Sequence, residues 1–545
     1  GGTMGFRARV IWWIRRGLWN GIARIKFKNN EPLAILPIPQ SFNEVVPVPF
    51  SKQFADVRIP SLQVAWAIPS DEKRPRLQYA KKTLLFTAQR WLYHRFPPMQ
   101  QGLPSIDANP QIAMTQGYRR GHDRAAKRAA ATHAVPRELT LRHPIVPSEL
   151  QGSPDLGQLA VRGPYAAYLQ RVKDDAYEWN LDWLSKDSFA CHQGLYRPWA
   201  QVRFQVHRVD GVEEQTYPLR ATEIRTQLGT ARPTDPQWPM AQRIALCAAS
   251  THTGLVRHWN WLHLMAGESF AMATRQAFQP DHPLCRLLWP HIYGTQQSNR
   301  FGNMAQLVPQ GDFEQIYSFT HDGMCELLEV TAKDFRFEIG DPKADAMRRG
   351  LTEQGIDLPT QRNAEALYEV IHRHVTRYVR IYYNQDEKVE KDRAIHEWGE
   401  RLEKFLPHAN IGLKATMASL TDTIARFIYL VTVSHESVGA LLWNYQMWMG
   451  IHPIRVYQDG RREPLDVYQR LVNTNYLLHV VRAPLMDDYS GVALAHPQNP
   501  SKSEAARDAF RTFQAELRTL QQVMDQDPWG CWKLYPNRLE VNINA

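Results

Sequence analysis

The sequence predicts a mainly α protein, and three observations support this class. Apolar residues recur at helical spacing in five long segments: 238–278, 363–383, 387–405, 415–447 and 504–524. Strand patterns do not alternate with helical ones as in a Rossmann or barrel fold, and no Gly-rich phosphate loop is present. Hydrophobic residues make up 43% of the 545 residues, which is enough for a large core.

Residues 1–30 predict a basic amphipathic helix. The stretch FRARVIWWIRRGLWNGIARIKFK places one apolar stripe at spacings of three or four residues: Ile11, Ile14, Leu18, Ile22 and Ile25. Tryptophans and basic residues flank this stripe, a pattern typical of helices that lie in an anionic membrane surface. Packing against its own domain or a partner is the alternative. Arg15 and Arg16 interrupt the apolar core that a signal peptide needs, so we expect a cytoplasmic protein with peripheral membrane association.

Charge and cysteine content limit the possible partners and the redox compartment of the protein. The net charge of +10 permits a nucleic-acid partner, but no compact zinc, RNP or Walker signature supports one, so we expect none. The five cysteines are scattered without a CxxC pair, which argues against a disulfide framework and favours a reducing compartment. The sequence contains no run of about 18 apolar residues, so it predicts no membrane-spanning helix. We expect a monomer.

Residues 31–155 predict a Pro-rich arm followed by a linker. Runs such as AILPIP, EVVPVPF and LQVAWAIP carry proline at a density that excludes central strands, so we expect an arm that wraps a surface. The stretch RRGHDRAAKRAAATHAVPREL predicts a solvated basic helix or a loose linker. Residues 156–545 form the predicted helical body.

Two histidines in VRHWNWLHLMAGE pose a geometric problem. His258 and His263 are five residues apart, so on an α-helix their side chains would point about 140° apart. They could be separate packed histidines. Alternatively, a π-type widening with i→i+5 geometry would bring both onto one face, and such widenings are frequent at functional sites.

This stretch, followed by ESFAMATRQAF and HPLCRLLWPHIYGT, resembles the histidine region of lipoxygenases. Four further segments resemble the family in the same order: LGQLAVRGPYAAYLQ at 156–170, YVRIYYNQDEKVEKDRAIHEW at 378–398, IYLVTVSHESVG at 428–439 and the C-terminal LYPNRLEVNINA. The resemblance covers about residues 155–545. It is to the bacterial type, which lacks the N-terminal β-barrel lipid-binding domain, and it implies a helical catalytic domain whose long central helix contains a π turn.

The resemblance implies a metal site. In the family, three histidines and the terminal carboxylate bind one non-haem iron, and these positions fall on His258, His263, His435 and Ala545. Imidazoles with a carboxylate and an open position suit iron that changes oxidation state, and manganese is the alternative metal. The π turn places both histidines of the pair at the metal.

Several other positions are assigned by the same resemblance. A further ligand is usual four residues after His435, where Gly439 leaves a vacant position; Asn444 is the nearest possible substitute. Glu268, His282 and His291 are expected to orient neighbouring groups or to be structural. Gly302, eleven residues beyond His291, matches a position associated with R stereochemistry.

The implied reaction inserts O2 into a polyunsaturated fatty acid or phospholipid. Hydrogen is abstracted from the methylene between two cis double bonds, and dioxygen traps the radical. Two alternatives stay open: hydroperoxide isomerisation or oxidation of an unusual apolar substrate at the same site, and a metal-poor lipid-binding protein on the same fold.

Overall fold

The structure is a computed structural model. It describes mainly these ranges: 37–72, 155–208, 218–352, 356–446, 449–463, 484–493, 500–526 and 532–543. A few single residues in the gaps and near the N-terminus are described as well.

Helices dominate the described residues, as the sequence predicts. Those before residue 340 are α1 Phe50–Gln53, α2 Leu156–Leu159, α3 Trp238–Thr251, α4 Glu268–Ala277, α5 Pro283–Ile292, α6 Thr295–Gly302, α7 Asp312–Ile316 and α8 His321–Ala332. The later ones are α9 Pro342–Arg348, α10 Pro359–Tyr382, α11 Asp386–Lys391, α12 Arg393–Phe405, α13 Met417–Tyr429, α14 Leu442–Gln446, α15 Ser490–Ala493 and α16 Pro500–Asp525. The mainly α class is confirmed.

A small antiparallel sheet, which the sequence analysis missed, precedes the helical body. Its strands follow one another as a meander: β3 Gln170–Lys173, β4 Ala176–Asn180, β5 Gln201–Val206, β6 Leu219–Thr226 and β7 Gly229–Ala231. In β5, buried and exposed residues alternate, with Val202 and Phe204 facing the core. The strands are short, with a 3-10 helix at Asp182–Ser185 among them, and the long helical patterns of the rest of the chain dominate the sequence.

The sequence predicts that the Pro-rich arm wraps a surface, but the arm packs into the core. Strands β1 (Pro47–Pro49) and β2 (Gln63–Ala65) pair antiparallel on either side of α1. Phe50, Val57 and Ile59 are fully buried and belong to the same apolar core as the helical body. The arm therefore contributes one wall of the core.

The two central helices are both interrupted by π-helical segments. The first, His252–Gly267, connects α3 to α4; the second and third, Leu430–Ser434 and Ser437–Leu441, connect α13 to α14. Phe270 on α4 stacks on Phe427 of α13 with ring centroids 4.2 Å apart. This contact holds the two helices side by side, with their π segments next to one another.

Within the N-terminal segment, only some residues are described. Those at 6–7, 9–11, 13–14 and 17 are helical. Phe6 and Trp13 are 79% and 73% exposed, and Val10 and Ile14 are 40% exposed. The rest of the predicted amphipathic helix lies outside the described residues. Among the helices that are described, none has both the length and the apolarity needed to cross a bilayer.

Candidate metal centre

The structure brings three imidazoles together where the π segments meet. The Nε2 atoms of His258 and His263 are 3.0 Å apart, those of His258 and His435 are 3.0 Å apart, and those of His263 and His435 are 3.1 Å apart. His263 and His435 are buried and His258 is half-buried. The π segment thus places both members of the five-residue pair on one face.

This triangle fits a metal ion. Each imidazole nitrogen offers a single in-plane N–H or lone pair, so three mutually touching Nε2 atoms cannot all be satisfied by hydrogen bonds to one another. Three nitrogens bound to one ion at right angles, each at about 2.1 Å, would lie about 3.0 Å apart. The observed edges match that separation. Among the described His, Cys, Asp and Glu residues, this is the one group whose ligand atoms converge in this way.

Hydrogen bonds connect the neighbouring helix α8 to the first π segment. The Asn260 side-chain amide donates to the Leu328 carbonyl and to the Thr331 hydroxyl, at 2.9 Å each. The indole N–H of Trp261 donates to the Thr331 carbonyl at 2.9 Å. These bonds fix the widened helix because they tie two of the four residues between the two histidines to the same turn of α8.

Glu268 contacts His263 indirectly, through Asn299, and its predicted orienting role stays a prediction. Its Oε2 accepts a hydrogen bond from the Asn299 side-chain amide at 2.8 Å, and Asn299 Oδ1 lies 3.0 Å from Nδ1 of His263. Its Oε1 accepts from the Ala65 backbone N–H of the arm at 3.0 Å. Burial raises the pKa of Glu268 to about 7, against the lowering effect of these hydrogen bonds. Asn299 was not singled out by the sequence analysis.

Gly439 faces the imidazoles. A Cβ atom added at this position would lie 3.5 Å from Cε1 and 3.6 Å from Nε2 of His258, and 3.9 Å from Cε1 of His435. These are ordinary van der Waals distances, so a small side chain fits beside the cluster. Asn444 is buried on α14, beyond the third π segment, and its role as a substitute ligand stays a prediction.

Gly302 has a different environment. A Cβ atom there would lie 2.1 Å from Cη2 of Trp259, whose ring centroid is 5.0 Å from that of His263. The indole therefore fills the space that a larger residue at 302 would need. Position 254 also has no room for a side chain, because a Cβ atom added to Gly254 would lie 2.0 Å from Tyr317 Oη. The stereochemical role of Gly302 stays a prediction.

His282 lies away from the triangle and is structural. Its Nδ1 accepts from the Leu284 N–H at the start of α5, and its Nε2 lies 2.9 Å from Oδ2 of Asp392. Burial raises the pKa of Asp392, but the hydrogen bonds from His282 and Tyr383 lower it to about 2. His282 thus joins α5 to the start of α12.

His291 holds the C-terminal tail. Its Nδ1–H donates to the Val541 carbonyl at 2.7 Å, and burial lowers the pKa of the ring to about 4, so it is neutral. One residue further, the Asn542 side chain donates to the Pro290 carbonyl at 3.0 Å. Ile543 is fully buried, with Cδ1 3.5 Å from the Cβ position of Gly267 at the end of the first π segment. Ala545 itself lies outside the described residues.

A small cavity of about 90 Å³ lies against the second ligand-bearing helix. Val433, Ser434, Ser437 and Val438, which flank His435 in the sequence, form one of its walls. Most of the opposite wall is apolar and comes from residues 160–169 and from α9 and α10. The lining also includes Arg257, Asp345 and Arg349, so the cavity is of mixed polarity.

Comparisons with known proteins agree with this site. Residues 215–479 match the family model described as Lipoxygenase. The chain is 28% identical over 172 residues to "Lipoxygenase 2, chloroplastic" of Tanacetum cinerariifolium, covering 30% of this chain and 19% of that protein. It is 27% identical over 233 residues to "Polyunsaturated fatty acid lipoxygenase ALOX15" of Mus musculus, covering 39% of this chain and 33% of that protein. The chain thus spans no more than a third of the length of either relative.

The fold is similar to that of solved lipoxygenase structures. For a coral 8R-lipoxygenase the TM-score is 0.67 at 15% identity, covering 93% of this chain and 79% of that one. For a lipoxygenase solved in complex with arachidonate it is 0.65 at 15% identity, covering 96% and 81%. The matched domain contains His258, His263 and His435, and the fold places these three histidines together. The chain therefore carries a lipoxygenase domain over residues 215–479, in a fold similar to that of solved lipoxygenases.

Proposed function

We propose that this protein is a non-haem iron dioxygenase that inserts O2 into a polyunsaturated fatty acid or lipid to give a hydroperoxide. The observation that carries the proposal is the triangle of Nε2 atoms from His258, His263 and His435, with edges of 3.0–3.1 Å. The match of residues 215–479 to the lipoxygenase family model supports the reaction class, and relatives are named for polyunsaturated fatty acids. Iron is the proposed metal, with manganese as the alternative.

The chain's own residues prepare such a site in two ways. Three imidazoles provide the nitrogen donors, and bound iron would supply the one-electron chemistry that C–H abstraction requires. Burial of His263 and His435 among apolar side chains keeps bulk water from the donors.

The direct test combines product analysis with ligand substitution. Protein reconstituted with iron should consume O2 with a polyunsaturated fatty acid and yield a product heavier by two oxygen atoms. His258→Ala and His435→Ala should each lose both metal and activity, because two imidazoles are left to bind the ion. His372→Ala is the control: this ring is paired with Asp422 at 2.8 Å on the surface of α10, so metal and turnover should be unchanged.

Each alternative gives its own result in the same experiment. A fatty-acid hydroperoxide consumed without uptake of O2 would identify an isomerase instead. Lipid binding by a folded protein that retains no iron or manganese would identify a lipid-binding protein and contradict the enzymatic proposal.

We propose that Gly439 is a vacant ligand position. Gly439→Asn should place an amide oxygen beside the three imidazoles, since the site accepts a Cβ at ordinary contact distance. We expect the variant to retain iron at higher chelator concentrations than the parent protein. Gly439→Ala makes the same backbone change without a donor and should not differ from the parent. Equal retention by both variants would show that position 439 does not reach the metal.

We propose that the terminal carboxylate of Ala545 is the fourth protein ligand. Support comes from the docked tail, since His291 and the Pro290 carbonyl hold residues 541 and 542 and Ile543 packs beside the π segment. One added C-terminal residue moves the carboxylate by about 3.5 Å. Metal content and turnover should then fall together, whereas Ala545→Ile should retain both. A fully loaded, active extended chain would exclude this ligand.

We also propose that the N-terminal segment docks on an anionic membrane surface. Phe6, Val10, Trp13 and Ile14 are exposed, and arginines lie between Phe6 and Val10 in the sequence. Each basic residue near such a surface contributes about 1 kcal/mol. Deleting residues 4–28 should release the protein from vesicles rich in anionic lipid while leaving turnover of micellar fatty acid nearly unchanged. Undiminished vesicle binding by the truncated protein would contradict the membrane role.

A further inference from the structure

We propose that the Pro-rich arm is a positioning element of the metal centre: through Glu268 and Asn299, the Ala65 amide holds His263 in the tautomer whose Nε2 is free to bind a metal. The inference rests on the proposed metal-binding role of His263. It gives the arm a function that its sequence does not suggest.

The relay consists of consecutive hydrogen bonds. The Ala65 N–H donates to Oε1 of Glu268 at 3.0 Å. The Asn299 Nδ2 donates to Oε2 of Glu268 at 2.8 Å and to the His263 carbonyl at 2.6 Å. The Asn299 Oδ1 then lies 3.0 Å from Nδ1 of His263.

The polarity of this relay follows from the two ends of Asn299. A carboxylate oxygen and a backbone carbonyl both only accept, so the end of Asn299 that faces them must be its NH2 group. Its oxygen therefore faces His263, and Nδ1 of His263 must carry the proton. In a neutral imidazole the other nitrogen, Nε2, then has the lone pair that a metal requires.

Burial makes the relay difficult to replace with water. Ala65, Glu268, Asn299 and His263 are 6%, 3%, 1% and 1% exposed. If donor and acceptor were exchanged on one side of any of these hydrogen bonds, two donors or two acceptors would face each other without solvent. That costs more than loss of the bond alone. The orientation of Asn299 is therefore set by the charge and position of Glu268.

Further contacts keep the arm in register. Arg275 on α4 pairs with Asp71 at 2.7 Å and with Glu72 at 3.1 Å, and Glu72 also accepts from the Gln297 N–H at 2.8 Å. At the other end, the Ser61 N–H donates to Glu329 of α8 at 2.9 Å. Ala65 lies between these two anchors. Its amide points to Glu268, opposite Pro47, which has no N–H of its own.

The first test reads the tautomer in the metal-free, full-length protein. Histidine labelled with nitrogen-15, assigned by loss of one signal pair in His263→Gln, reports which ring nitrogen carries the proton. We expect the proton on Nδ1 of His263. A proton on Nε2 with a bare Nδ1 would overturn the proposal, whatever the variants do.

The second test disrupts the relay of hydrogen bonds at Glu268. In Glu268→Gln, the new amide oxygen can accept from Ala65, but its NH2 group then faces the NH2 group of Asn299. The Asn299 amide is then oriented only by the His263 carbonyl, so its oxygen is held less firmly at Nδ1 of His263 and the preference for a proton on Nδ1 should weaken. We expect iron(II) affinity, measured anaerobically by chelator competition, to fall about 10- to 100-fold. Adding Asn299→Asp restores an acceptor at His263 and should recover part of the loss.

Two more variants test the arm itself. Ala65→Pro removes the donated hydrogen at an edge strand and should lower iron affinity and weaken the preference for the Nδ1 proton. Glu329→Gln is the matched control, since it alters an arm contact outside the relay and should leave both measurements unchanged. Parental affinity and tautomer in folded Glu268→Gln and Ala65→Pro would overturn the proposal. His263→Ala separates the two claims: undiminished iron binding there refutes the ligand role of His263, while the tautomer measurement still tests the relay.

Discussion

Three imidazole nitrogens within 3.1 Å of one another are the constraint on which the central helices depend. Such a cluster is stable when a common cation draws the three lone pairs together. Because two of the histidines are five residues apart, an α-helix cannot supply the geometry, and the chain adopts a π segment over His252–Gly267. The facing helix carries its own π segments on both sides of His435.

The surrounding structure supports this widened geometry from three directions. Helix α8 holds Asn260 and Trp261, two of the four residues between the paired histidines. The C-terminal tail is fixed by His291 and ends its described part beside Gly267. The arm reaches His263 through Glu268 and Asn299. Segments far apart in sequence therefore converge on one turn of helix, and the metal centre depends on the packing of the whole core.

Much of this architecture was predictable from local patterns. Apolar periodicity located the long helices, and the five-residue spacing of His258 and His263, together with the family resemblance, predicted the π turn. Non-local contacts were not predictable. Asn299 lies 36 residues from His263, and Ala65 lies 203 residues from Glu268, so no local spacing relates them. The meander at 170–231 was missed because its strands have only three to eight residues.

The central claim is that one metal ion is bound jointly by His258, His263 and His435. Diffraction from iron-loaded crystals at wavelengths on both sides of the iron absorption edge locates the ion directly. The account predicts one anomalous peak per chain, within bonding distance of all three Nε2 atoms. A peak bonded to fewer than three of these nitrogens, or located elsewhere in the fold, would contradict it.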